Sequence, residues 1–271
     1  MSLTLRLAIA APALLGACAS PPAAQAPDLQ GLLPAPLLLL GEQHDAPEHQ
    51  ALQQRTVQAL ADQGRLAAVV LEMAEHGQQT AGLPPDAPQQ QVREALAWTG
   101  PTNAGGWAWD TYGPVVMAAV RAGVPVLGGN LPRDRMRAAM ADTSLDATLP
   151  PEALRRQREA IREGHCNLLP ESQLTPMTRI QLARDRSLAG AASAALRDGK
   201  TVLLIAGNQH VDRELGVPRH LPPDQAVRVV QALAQDAPPA AAERAGADRF
   251  WLTPARPARD HCAELKQQMS R

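Results

Sequence analysis

Apolar positions along the chain gather into short unbroken runs rather than alternating ones. "LLLLG" (37–41), "AAVVLEM" (67–73), "VPVLGGN" (124–130) and "TVLLIAGN" (201–208) are apolar at successive positions. A strand that is apolar at every position must be covered on both faces, as in a parallel sheet sandwiched between helices. Between these runs the apolar residues recur at helical spacing. "PEHQALQQRTVQALADQ" (47–63) follows the first run; Pro47 suits its first turn, and Asp45 with Glu48 three residues on reads as a capping pair. "YGPVVMAAVRAG" (112–123) precedes the third run and "ESQLTPMTRIQLARDRSLAGAASAALRDG" (171–199) the fourth, and both end at a glycine. "DRFWLTP" (248–254) reads as a further strand, whereas "AVRVVQAL" (226–233) reads equally as strand or helix. "AGLPPDAPQQ" (81–90) and "DAPPAAAE" (236–243) read as loops. This alternation predicts an α/β fold: a mostly parallel central sheet with helices on both faces and a ligand pocket at the carboxyl ends of the strands. No internal repeat is visible.

Composition changes this picture in a few places. Only six of the 271 residues are aromatic, so the core must be built from Leu, Val and Ala. The net charge of −1 argues against a nucleic-acid partner. The first residues, "MSLTLRLAIAAPALLGAC", carry one positive charge, Arg6, and an apolar stretch from Leu7 to Ala17 that is too short to span a bilayer. They read as an export signal over residues 1–17. Its end, "LLGAC", has small residues before a thiol that can accept lipid, which predicts lipidation of Cys18; plain secretion with an unmodified Cys18 is the alternative. The Pro- and Ala-rich residues after it read as a tether over 18–35, leaving one domain over 36–271. In an oxidising compartment the remaining two cysteines, Cys166 and Cys262, are expected to form a disulfide rather than two buried free thiols.

The chemistry-bearing residues lie where the runs end. Glu42 and His44 follow the first run, Glu72 closes the second, Asn130 the third, and Asn208 and His210 the fourth. In a parallel sheet these positions converge on one edge. A buried carboxylate without a partner costs several kcal/mol, roughly the penalty of an unpaired buried charge. Glu42, His44, Glu72 and His210 are therefore expected to meet one another or a ligand, while Asn130 and Asn208 serve equally well as loop ties.

Six segments in order, "LLGEQHDAPEHQALQ", "VVLEM", "WAWDTYGPVVMAAVRAGVPVLGGNLPR", "GHCNLLP", "QLARDRSLA" and "LLIAGNQHVDRELGVPRHL", make residues 37–265 resemble the ChaN-like haem-binding lipoproteins. That family sits in a wider group with Tiki proteases, TraB and erythromycin-esterase-like hydrolases. The resemblance implies an outer-membrane lipoprotein, facing the periplasm, that binds haem and assists iron uptake. It implies a pocket built on Gly41, His44, Glu72 and His210. It also implies a tyrosine on the iron, which points to Tyr112, the only tyrosine present; ferric iron favours the phenolate as bound cations favour other anionic ligands. The haem-binding set is then Tyr112, His44 and His210, with Trp107 and Trp109 as stacking candidates. Arg133 and Arg135 read as ordinary solvated side chains before they read as propionate partners. Partners are haem, a membrane reached through the lipid anchor, and a second copy closing around the haem.

The same residues allow hydrolysis. His44, oriented by Glu42 or Glu72, suits a general base on water, with His210 as acid or oxyanion donor. Two histidines and two glutamates also suit a divalent metal with an open position. His49 lies one turn into the first helix and faces either this pocket or solvent. Asp185 reads as a structural partner of its neighbour Arg184. His76, His165, His220 and His261 read as structural or surface residues.

Overall fold

The computed structural model describes residues 27–257 and 260–269; Cys18 and the stretch read as an export signal lie outside the described residues. Six strands form one sheet: β1 (Leu37–Glu42), β2 (Leu66–Glu75), β3 (Val126–Asn130), β4 (Thr201–Gly207), β5 (Val227–Ala234) and β6 (Arg249–Thr253). They lie in the order β3-β2-β4-β1-β5-β6, and each neighbouring pair is parallel. The segment that read equally as strand or helix is the strand β5.

Side chains in the central strands alternate between two cores, as continuous apolar runs require. Leu38 and Leu40 of β1, with Leu203 and Ile205 of β4, pack on one face with Val57 and Leu60. Those two belong to α1 (Pro47–Asp62). Leu37 and Leu39, with Val202 and Leu204, pack on the other face with Leu188 and Ala192. Short α2 (Gln89–Ala95) and longer α3 (Trp109–Arg121) join α1 on the first face. On the other side α4 (Met136–Ala141) and α5 (Pro151–Gly164) precede the long α6 (Glu171–Ala194). A further small cluster, built on Leu145, Leu149 and Leu182, holds that end of the molecule together. The chain closes with α7 (Asn208–Val211) after β4 and α8 (His261–Met269) at the C-terminus.

Two details differ from the sequence reading, the start of α1 and the helix α5. The helix α1 starts at Pro47 as expected, but its N-cap is Ala46 and no side chain caps it. Asp45 is 60% exposed and sits 3.9 Å from Arg256 instead. The stretch from Asp28 to Ala35 docks on the domain: Asp28 pairs with Arg249, and Leu32 and Ala35 are buried. Apolar residues in a Pro-rich stretch are enough to dock it. Helix α5, amphipathic through Ala153, Gln157 and Ile161, lies outside the elements read from the sequence. The disulfide is present: Cys166, just past α5, bridges Cys262 of α8 with the Cα atoms 5.5 Å apart.

Candidate functional site

The carboxyl edge of the sheet gathers an alternating series of acids and imidazoles. Glu42, the last residue of β1, is buried and accepts four hydrogen bonds. Tyr112 Oη and His44 Nδ1 each lie 2.6 Å from its Oε1. Gln50 and Gln53 of α1 donate to its Oε2. The two glutamines are three residues apart on the inner face of the helix, so one turn of α1 supplies both donors. A carboxylate can be buried at this cost because its oxygens are fully used.

His44 bridges to the second carboxylate. Its ring passes from Glu42 toward Glu72, with Nε2 3.9 Å from Glu72 Oε2. Glu72 also accepts from the Gly207 N–H at 2.8 Å, and His210 Nε2 approaches its other oxygen at 3.4 Å. The far nitrogen of His210, Nδ1, is 2.6 Å from Asp185 Oδ1. The order is therefore Tyr112, Glu42, His44, Glu72, His210, Asp185, drawn from α3, β1, the turn after β1, β2, α7 and α6.

Local backbone makes room for this. Two extra residues in β2 break its ladder with β3 between Leu71 and Glu75; the Glu72 carbonyl accepts from Asn130 Nδ2 instead. A Cβ on Gly207 would stand 2.8 Å from His44 Nε2, so the imidazole occupies space that only glycine leaves. A Cβ on Gly41 would overlap Asn208 Oδ1 and Val211, which fixes how closely α7 crosses β1.

Charges follow the geometry. Burial alone would lower the His210 imidazole, but Glu72 and Asp185 on either side raise it to about 10. Burial would raise Glu72, yet the His210 charge and hydrogen bond, His44 and the Gly207 N–H pull it down to about 2. Burial pushes Asp185 up to about 6, against the pull of His210. For His44, burial is outweighed by the Glu42 hydrogen bond and the Glu72 charge, and its value rises above 6.5. Burial and the Glu42 carboxylate drive the Tyr112 phenol far above its usual value.

All four strand-end residues expected to converge, Glu42, His44, Glu72 and His210, are thus neighbours. Their accessibility differs. Tyr112 is 2% exposed and His210 5%, whereas the His44 side chain is 39% exposed. The His44 ring lies 4.7 Å from that of Trp107, which meets Tyr112 edge-on at 5.7 Å. Trp109 is buried against Trp98. His49 turns away from the pocket: its Nδ1 accepts from the Gln43 N–H and its Nε2 meets Thr253 Oγ1, each at 3.0 Å. Asp185 corrects the expected Arg184 pair: its Oδ1 meets His210 Nδ1, its Oδ2 is buried without a hydrogen-bond partner, and Arg184 acts on it only through its charge. Asn208 Nδ2 ties to the Ala232 carbonyl. Among the described residues no group of three or more His, Cys, Asp or Glu is arranged to hold a metal ion. Gln50 and Gln53 escaped the sequence reading.

Beside this series opens a cleft of about 390 Å³, a size common for small-molecule sites. Glu72, Trp107, Asn130, Arg133, Met136 and Arg184 are among its lining.

A family model described as "Haem-binding uptake, Tiki superfamily, ChaN" matches residues 29–221. Among solved structures, the ChaN of Campylobacter jejuni described for cofacial haem binding is 23% identical, with a TM-score of 0.60 over 76% of this chain and 85% of that one. The type III effector HopBA1 is 12% identical, with a TM-score of 0.40 over 81% of this chain and 88% of that one. No curated protein matches the chain.

Proposed function

Because the chain belongs to the haem-binding uptake family of the Tiki superfamily, ChaN, we propose that it binds haem at the carboxyl edge of its sheet, over His44, Trp107 and the adjoining cleft. The family match, which runs from before β1 to beyond α7, is the observation that carries this reading. The residues present suit the group. Trp107 offers an aromatic face, and His44 is the accessible member of the three haem-binding candidates. The reading places His44 toward the iron side. Tyr112 lies one layer beneath, and its phenol reaches the iron only by leaving Glu42. A second copy over the open haem face, a lipid anchor on Cys18 in the outer membrane, and a part in iron uptake belong to the same proposal.

Haemin titrated into the full chain and followed at the Soret band tests it. A saturable shift that His44→Ala weakens is expected. Binding no better than to an unrelated control protein overturns the reading.

One observation favours a second reading, hydrolysis: alternating carboxylates and imidazoles are a means of moving protons. Set between Glu42 and Glu72, His44 would be the accessible proton carrier of such chemistry. Turnover of an activated ester or a peptide, lost in His44→Ala, would support this second reading.

A further inference from the structure

Helix α6 carries three arginines near this end of the molecule, and two have carboxylate partners. Arg179 holds Asp146 at 2.6 Å, and Arg186 lies 3.6 Å from Asp142. Arg184 is the exception: among the described residues no carboxylate lies within ion-pair distance of it, and its Nε is buried without a hydrogen-bond partner. The nearest acid along the helix, Asp185, is turned to His210. Arg55 and Arg158 share an unpartnered Nε, but neither lines the cleft.

Arg184 does line it, together with Arg133 and the Asn130 side chain, whose Oδ1 is also buried and unpartnered. Among the described residues no carboxylate lies within ion-pair distance of the Arg133 side chain, which donates to the Ala104 carbonyl. The two acids in the wall are engaged: Glu72 by His210 and Gly207, and Glu75 by the Arg133 N–H. Trp107, Leu131 and Met136 supply apolar wall in the same cleft. A guanidinium left half-buried and unpaired is costly, and a planar anion that fits its fork offsets that cost. The cleft therefore suits a molecule that is apolar over most of its surface and carries a carboxylate at one end.

We infer that Arg184, assisted by Arg133, is an anion-binding subsite that takes a propionate of the bound haem and so sets its orientation in the cleft. This rests on the haem reading above. It separates Arg184 from the other arginines of α6, which serve the fold.

The test uses the full chain and two probes, haemin and its dimethyl ester, in which both propionates are neutral. Arg184→Gln should weaken haemin binding roughly 10-fold, the scale of one lost charge-assisted contact, and leave binding of the ester unchanged. Arg184→Lys keeps the charge without the fork and should fall between Arg184→Gln and the unaltered chain. Circular dichroism melts of all three proteins show whether folding is retained. If Arg184→Gln binds haemin as the unaltered chain does, or loses haemin and ester equally, the subsite is wrong while haem binding stands. If the unaltered chain binds neither probe saturably, the haem reading itself has failed, and the subsite with it.

Discussion

Glu72→Gln isolates the centre of the charge series. The substitution keeps the shape of the side chain and an oxygen for the Gly207 N–H, but removes the charge shared by His210 and His44. Glu72 is buried and held at about 2 instead of 4.5, which corresponds to about 3 kcal/mol favouring the folded state at neutral pH. Loss of one partner from a buried charge pair falls in the same range, roughly 3–5 kcal/mol. The sign fixes the pH window. A depressed carboxyl contributes stability that is full above pH 4.5 and is lost as pH falls through about 2. Urea unfolding followed by circular dichroism should therefore show Glu72→Gln less stable by about 3 kcal/mol at pH 7, narrowing to about 1 kcal/mol near pH 3. A gap that stays constant across that range, or a variant as stable as the unaltered chain at pH 7, would refute the reasoning.

Tyr112→Phe removes one of four donors to Glu42 and should cost about 1–2 kcal/mol in the same assay. In the haemin complex it separates two arrangements: an unchanged spectrum leaves His44 facing the iron, and loss of a phenolate charge-transfer band assigns the iron to Tyr112. The double variant Cys166→Ser, Cys262→Ser opens a bridge between residues 96 apart and should lower stability by roughly 4–5 kcal/mol on the chain-entropy account. An unchanged urea midpoint there would mean that the tail is held by packing alone.

The sheet was legible because burial on both faces leaves an unbroken apolar run, and a run cannot be hidden by context. β5 was ambiguous for a physical reason: it is half-buried, with Val227, Gln231 and Leu233 only partly apolar in their setting, so it lacks that signature. The strand-end acids and histidines were legible because topology alone brings the carboxyl ends together. What topology does not specify is direction. Asp185 was paired with Arg184 because the two are adjacent, yet successive residues on a helix point about 100° apart and do not face each other. Gln50 and Gln53 were invisible for the converse reason. Their spacing is ordinary for a helix, and only the position of Glu42 gives it meaning. Tyr112 was read as an iron-ligand candidate from the resemblance and because it is the only tyrosine; on α3 it shares the buried face with Val115, Val116 and Ala119.

Direction also bears on the choice between binding and hydrolysis. A proton relay works when its members can release and reclaim protons during turnover. Here Glu42 is saturated by four donors, and His210 is clamped between two carboxylates that hold it charged through neutral pH. These groups are fixed rather than poised. His44 alone in the series reaches the surface, and it does so against Trp107, which lines a cleft that is part apolar and part charged. On the proposed haem reading, the buried series serves as a foundation. It holds one imidazole and one aromatic face in place where a flat ligand can lie, which is what binding needs and catalysis by itself would not require.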